Sequence, residues 1–544
     1  MVNIKLALIA LLPVLTGCSS AVREPEKPDT VYHFTVLHTN DTHGRFWSNR
    51  DGEYGMAARQ TVVDNVRNEV QTRGGYTLLL DGGDVNTGVP ESDLQDAVPD
   101  FMGMNQLAYD AMAVGNHEFD KGLGVLQKQR DLAHFPMLSA NIYRKGERMF
   151  EPYRVFRLGG LRVAVLGLTT EDTRVLANPD NVKKLEFRKP IDEARALIAE
   201  LRSKADVVIA ATHMGHFEDG QHGRQAPGDV ELARAVKGLD LIVGGHTQNP
   251  VCMKAPNVRE STYIPGSDCA PDRQNGTWIV QAHEWGKYVG RADFEYRRGQ
   301  LRLLRYALIP INLKQTVEAS DGTLRKVLYD LEIAEDSKML DLLRPYKEAV
   351  REMLQREIGS SDSSLDGDRN VVRKRQTDLG RLIGQAMMEK THADFAIVNS
   401  GGIRSSLPAG PISYRDILSV HPFGNTIGTV EMSGRDVLEY LGSAAAMEPG
   451  SGGFAQFAGI DIRIAQGRAQ KARIAGSEIE PEKTYRMAVN SFMAAGGDGY
   501  PILQRHPAYV DSGFVDAEVL QEFISTHSPI AAVQFEPGSA VVRE

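Results

Sequence analysis

Residues 36–44, VLHTNDTHG, decide the fold. A run of apolar residues that ends by presenting His38, Asp41 and His43 within six positions reads as a buried strand with polar ligands at its carboxyl end. That reading holds if other runs in the chain end the same way. They do. YTLLLDGGD brings Asp84 just past a second run and AMAVGNHEFD brings Asn116 and His117 past a third. DVVIAATHMGH ends on His213, and LDLIVGGHTQNP delivers His246 and Gln248. In open α/β architectures ligands bind where loops converge at the carboxyl ends of strands. Five such loops make one site.

The donors are carboxylate, imidazole and side-chain amide, with no thiolate among them. That set suits two divalent cations, drawn from Mn, Mg, Co or Zn. Glycines at 82, 83, 115, 244 and 245 let the backbone crowd close to the ions. One histidine at one strand end would be read as a packed or surface residue. Five glycine-flanked strand ends together argue against that.

The chain has 544 residues, too many for one ordinary core, so two domains are expected. With 42% hydrophobic and 24% charged residues it reads as globular. A formal net charge of -9 argues against a partner that is a nucleic-acid polymer, which needs a broad basic surface. The N-terminus, MVNIKLALIALLPVLTGCSS, carries Lys5 and then an apolar stretch from Leu6 to Leu15. That stretch is shorter than the ~20 residues a membrane span needs and reads as an export signal over residues 1–17. Its ending, Leu15-Thr16-Gly17-Cys18, resembles a bacterial lipobox. The resemblance implies cleavage before Cys18, lipid acylation of that cysteine and, with Ser19 next, an outer-membrane location. The alternative is an ordinary cleaved signal with Cys18 inert. Residues 18–30 read as a tether. Cys252 and Cys269, an even pair close together in an exported chain, are expected to form a disulfide.

From Tyr32 to about Pro310, short apolar runs alternate with helix-like segments, an α/β pattern. Asp336 or Ser337 is expected to cap a helix over 336–357, kinked at Pro345. The following IGSSDSSLDGDRN reads as a connector into a second α/β domain over 358–544.

NDTHG, GGD, GNHEFD, THMGH and GGHTQ resemble the metallophosphoesterase signature, in the order and spacing of the bacterial 5′-nucleotidase / UDP-sugar hydrolase family. The likeness covers nearly the whole chain after the tether. It implies an N-terminal calcineurin-like four-layer α/β/β/α domain over 31–335. A linker helix at 336–357 would join it to a smaller α/β nucleotide-binding domain at 358–544. It further implies that Asp41, His43, Asp84 and Gln248 bind one metal ion. Asp84 would bridge to a second, completed by Asn116, His213 and His246. Two such cations about 3.5 to 4 Å apart would activate a shared water for in-line attack at phosphorus. The family motif uses His117 and Asp120 as a catalytic dyad, with His117 stabilising charge and Asp120 orienting its ring, and leaves Glu118 a structural role.

Specificity is expected from the C-terminal half. GDRNVVRKRQTD offers Arg369 and Arg373, and NSGGIRSS offers Arg404, guanidinium groups suited to phosphate. HPFGNT supplies Phe423 and Asn425, while NSFMAAGGDGYP supplies Phe492 and Asp498. Two phenylalanines can sandwich a base, an aspartate can accept from ribose hydroxyls, and the same segments match the nucleotidase family. A nucleoside held by one domain and metals held by the other require the domains to approach and separate, which the family implies is a rotation about the linker helix. The expected protein is a monomeric, lipid-anchored hydrolase. It would act on nucleoside 5′-monophosphates, with ATP, ADP and UDP-sugars as further substrates. A 2′,3′-cyclic phosphodiesterase / 3′-nucleotidase and a non-enzymatic nucleotide-binding lipoprotein are the alternatives.

Overall fold

The structure is a computed structural model that describes residues 30–218, 226–319, 322–538 and 541–543. The expected export signal, Cys18 and nearly all of the expected tether lie outside these residues. Among the described residues no helix is long and apolar enough to cross a membrane.

The N-terminal half is built on two six-stranded sheets. Their strands are β1 (Val31–Thr39), β2 (Tyr76–Asp81), β3 (Ala111–Ala113), β4 (Met137–Leu138), β5 (Tyr153–Leu158) and β6 (Leu161–Thr169). The chain continues with β7 (Val207–His213), β8 (Leu241–Val243), β9 (Asp272–Gln274), β10 (Thr277–Val280), β11 (Tyr288–Arg297) and β12 (Gln300–Pro310). The first sheet runs β12-β11-β1-β2-β3-β4 and the second β9-β10-β8-β7-β6-β5. Within them β1 to β4 are parallel, as are β6, β7, β8 and β10.

Parallel central strands are buried on both faces, which is why their sequences read as unbroken apolar runs. Along β1, Val36 points into the core between the sheets while Leu37 points to the opposite core, against the helices Met56–Thr72 and Val98–Gln106. Along β7, Ile209 and Ala211 face the inter-sheet core. Val208 and Ala210 face the helices Pro190–Lys204 and Asp229–Ala235. Each fully buried aliphatic side chain contributes about 1.5–3 kcal/mol, so the double-sided burial fixes strand register and with it the loops at the carboxyl ends. The order is helix, sheet, sheet, helix.

Asp336 caps the linking helix Ser337–Ala349 by accepting from the Met339 N–H at 2.8 Å. Pro345 lies inside this helix without ending it. The proline is exposed, so its ring meets no packed neighbour that would force the chain out of the helix. The break falls instead at Val350 (φ −110°, ψ 1°), before one further turn, Arg351–Leu354. The segment read as a connector opens as a strand, Glu357–Ser361, paired antiparallel with Gly410–Ser413.

The C-terminal half centres on a five-stranded sheet of β13 (Phe395–Asn399), β14 (Thr426–Ser433), β15 (Ala455–Ala458), β16 (Thr484–Asn490) and β17 (Tyr509–Val515), in the order β15-β13-β16-β14-β17. Helices Asp378–Thr391 and Asp516–His527 cover one face, and Gly434–Ala445 packs on the other.

Candidate metal centre and the cleft around it

The five loops expected to converge do so, and the backbone shows what convergence costs. Asp41, His43, Asp84, His246 and Gln248 all have left-handed φ, between 48° and 80°, though none is glycine. Such conformations cost on the order of 1–3 kcal/mol each and persist where the surroundings over-determine them. Here the loops hold one another: Asp41 N–H donates to Gly83 O at 2.8 Å and His43 N–H to Asp84 O at 3.1 Å. The glycines are required by space. A Cβ on Gly115 would stand 2.2 Å from Asp84 Oδ1, and one on Gly82 would stand 2.5 Å from Gly244 O.

Asp84 is the hub. Its Oδ2 lies 2.9 Å from His213 Nε2 and 4.0 Å from His117 Nε2. Two donor groups share it: His43, Asp84 and His117 on one side, Asp84, His213 and His246 on the other. Asp41 Oδ1 stands 3.8 Å from His43 Nε2, Asn116 Oδ1 stands 2.9 Å from His246 Nδ1, and the Gln248 amide meets His43 Nε2 at 2.6 Å. All seven residues expected as ligands therefore lie in one cluster. His117, expected to stabilise charge and not to bind metal, also brings a ring nitrogen to it.

The cluster fits cations. His43 Nδ1 lies 3.0 and 2.9 Å from the carbonyls of Asn86 and Thr87, and His213 Nδ1 lies 2.7 Å from Gly82 O. Each of these rings thus carries its proton on Nδ1 and turns an Nε2 lone pair inward. For His213 that lone pair faces a carboxylate oxygen. Asp41 Oδ1 is buried with no hydrogen-bond partner among the described residues. Burial pushes the Asp41 carboxyl up to about 7, a cost that a bound cation reverses.

His117 Nδ1 lies 2.5 Å from Asp120 Oδ2. Burial lowers the imidazole's pKa, but Asp120 and Asp84 outweigh it and raise it overall. Glu118 is turned away from solvent. Its carboxylate accepts the backbone N–H groups of Gly115, Asp84, Val85 and Asn86 at 2.7 to 3.3 Å, tying two ligand loops together.

Both domains line one cleft of about 730 Å³ beside this cluster. The Phe423 ring stacks on His117 at 6.0 Å, and the Arg404 guanidinium sits 5.6 Å from the Phe423 centroid. Arg369 donates to Gln248 Oε1 across the cleft. Burial, then the adjoining Arg369, push Arg404 down to about 10, and the same two causes together with Arg404 push Arg373 well down. The three guanidinium groups, each partly buried, crowd one another. Asp498 accepts from Asn399 Nδ2 at 2.7 Å, and Asn425 and Phe492 complete the expected set on the cleft wall.

Sequence reading passed over other lining residues. Asn399, which orients Asp498, was in view in NSGGIRSS, and His216 in THMGH. Arg259, Asp172 and Asn178 carried no local signal. Of the opening stretch, His38 takes no part: it is fully buried, stacks on Tyr306 at 6.2 Å, and neither ring nitrogen has a hydrogen-bond partner among the described residues. Cys252 and Cys269 are bonded to each other.

The family model for calcineurin-like phosphoesterases matches residues 34–250, and that for the 5'-nucleotidase C-terminal domain matches residues 357–505. The 5'-nucleotidase of Vibrio vulnificus is 54% identical over 98% of this chain and 97% of its own. The chain belongs to the 5′-nucleotidase family. Protein UshA of Escherichia coli K12 is 52% identical over 98% of each chain. The crystal structure of a 5'-nucleotidase precursor from Thermus thermophilus superposes with a TM-score of 0.77 at 29% identity, covering 94% of this chain and 99% of that one. As a family member the protein is an enzyme, a metallophosphoesterase that hydrolyses nucleotide phosphoesters. Its calcineurin-like domain is of the dimetal kind, and the two donor groups that share Asp84 provide for the pair, with the metal's identity left open by the donors.

Proposed function

We propose that the enzyme releases phosphate from nucleoside 5′-monophosphates, and also acts on ATP, ADP and UDP-sugars, scavenging nucleotides outside the cytoplasm. One observation carries this reading: three partly buried arginines, close enough to repel one another, and a half-buried phenylalanine stand in the same cleft as the metal donors. Cations crowded in this way call for an anion, and guanidinium groups meet phosphate oxygens in bidentate fashion.

Asp41, His43, Asp84 and Gln248 would hold one cation, and Asp84, Asn116, His213 and His246 the other. When bound, the two cations supply Lewis acidity toward the phosphoryl oxygens and lower the pKa of water. The chain's own groups do the rest. Arg369, Arg373 and Arg404 grip the phosphate and set the phosphorus in line with the leaving oxygen. His117, its Nδ1 held by Asp120, presents Nε2 to the oxygen that gains charge and stabilises it by a hydrogen bond. Phe423 and Phe492 stack on the base, Asn425 meets its polar edge, and Asp498 accepts from the ribose hydroxyls. The lipobox-like sequence around Cys18 supports an exported, lipid-anchored form at the outer membrane.

Phosphate release from AMP, 3′-AMP and 2′,3′-cyclic AMP by chelator-stripped protein re-supplied with Mn or Mg tests the reading. Metal-dependent turnover of AMP, lost by at least a thousandfold in Asp84→Ala, is the expected result. Turnover confined to the cyclic and 3′ substrates would overturn it. For the anchor, full-length protein should fractionate with outer membranes and Cys18→Ala should not.

A further inference from the structure

Past the metal donors, the cleft continues along the N-terminal domain to a wall that the proposed mechanism leaves unused. His216, Glu218, Thr247, Asn249 and Arg259 form it. Arg259 ends the short hairpin Met253–Ala255 / Val258–Arg259, inside the loop that Cys252 and Cys269 close. Its Nη2 donates to the His216 carbonyl and stands 3.2 Å from His216 Nδ1. The other ring nitrogen, Nε2, lies 2.8 Å from Asp272 Oδ2, and both His216 and Asp272 are fully buried. Asp272 is itself fixed by the N–H groups of Asn257 at 2.9 Å and Arg273 at 2.7 Å.

These contacts set the tautomer. His216 gives its Nε2 proton to Asp272 and offers the Nδ1 lone pair to the guanidinium. A buried aspartate–histidine pair beside an active cleft would commonly act on a nucleophile. Here it is aimed at an arginine. Asp272 holds His216, and His216 holds Arg259, so the guanidinium stands in one orientation at the cleft wall. Its Nε is buried and has no hydrogen-bond partner among the described residues. Arg259 also lines the cleft, and a guanidinium held from behind in this way can donate its remaining N–H groups to the oxygens of a ligand there.

The position suggests which ligand. His216 N–H donates to Thr247 Oγ1 at 3.3 Å, so the wall adjoins the loop that carries His246 and Gln248. With the nucleoside held from the C-terminal domain, the leaving group departs toward that domain. A further substituent on the attacked phosphorus must turn aside along the N-terminal wall. Nucleoside monophosphates carry only oxygen there. A UDP-sugar carries a hexose.

We propose that Arg259, positioned by Asp272 through His216, is a specificity-determining residue that binds the hydroxyl-rich group borne by the attacked phosphorus of a UDP-sugar. The inference rests on the nucleotide-hydrolase reading above. In the reaction it serves, water oxygen bonds to the β-phosphorus and the anhydride P–O bond breaks. UMP leaves with the bridging oxygen, glucose 1-phosphate keeps the β-phosphorus, and the protons of the water pass to products and solvent.

The test is steady-state kinetics of the metal-loaded full chain on UDP-glucose, UDP and UMP, with UDP and UDP-glucose sharing everything except the hexose. In Arg259→Gln, the ratio of kcat/KM for UDP-glucose over that for UDP should fall at least tenfold, chiefly through KM. Arg259→Lys, which keeps the charge but loses the fork, should fall less, and it carries the test if the glutamine variant does not fold. Asp272→Asn should move the UDP-glucose KM in the same direction. An unchanged ratio, or a loss shared equally by UDP, would overturn the assignment. Parent enzyme that turns over UMP and UDP but not UDP-glucose would overturn it while sparing the nucleotidase reading. Failure on all three substrates would sink that reading first, and this inference with it.

Discussion

Asp41, His43 and His38 lie within six residues, yet only two of them join the metal-donor cluster. The left-handed backbone after β1 turns Asp41 and His43 inward, whereas His38, still on the strand, points into the inter-sheet side beside Tyr306 and Gly290. Local sequence shows three polar residues and no means of telling them apart, because strand parity and the turn that follows decide where each side chain goes. The difference is measurable. Burial drops the His38 imidazole to about 3, against an ordinary value near 6.5, so the folded state resists a proton that the unfolded chain accepts. Its contribution is fully present above pH 6.5 and is lost as pH falls from 6.5 toward 3, by up to about 1.4 kcal/mol per pH unit. Chemical denaturation of metal-free protein at several pH values should show stability rising with pH over this window. His38→Leu should flatten the slope by nearly one proton, and an identical slope in the variant would rule out this assignment.

At the scale of elements, the ligand loops work because glycine lets strands from two sheets meet. Gly82 and Gly115 sit where any side chain would collide with the opposite sheet's loop or with Asp84. The glycines were legible in the sequence, but which loop each one admits was not, since the Gly82–Gly244 approach joins positions far apart in the chain. Gly115→Ala should displace the Asp84 carboxylate and lower both bound metal and AMP turnover by at least tenfold, read by metal analysis and phosphate release together. Full metal content in a folded Gly115→Ala protein would show that the close approach is dispensable. The linking helix teaches the reverse lesson. Its cap follows from Asp336, but its extent does not: the helix runs through Pro345, where a kink was expected, and breaks at Val350 before one further turn.

For the whole molecule, function depends on two domains sharing one cleft. Arg369 reaches Gln248, Phe423 stacks on His117, and Arg415 Nε pairs with Glu91 Oε1 at 2.8 Å. In the proposed mechanism product would lie between the metal donors and the aromatic pair, and its release would need the domains to part. A short bifunctional cross-link between cysteines introduced as Glu91→Cys and Arg415→Cys should hold this arrangement. It is expected to cut steady-state AMP turnover at least tenfold while leaving metal content unchanged. Undiminished turnover in fully cross-linked protein would mean that catalysis proceeds without separation.

The sequence alone determined the α/β class, the strand ends that carry the donors, and the residues expected to hold metal and nucleotide. Each of these is written locally, in apolar runs, turn glycines and short polar motifs. Tertiary structure decided what those motifs meet: that His38 is core, that Glu118 binds four backbone N–H groups, that Phe423 lies against His117, and that Asp272 and His216 aim Arg259 at the cleft. All but the Gly115–Glu118 bond join residues tens to hundreds of positions apart. Only the packing of two sheets and a second domain brings them within hydrogen-bonding or ring-stacking range, and one-dimensional spacing carries no record of that.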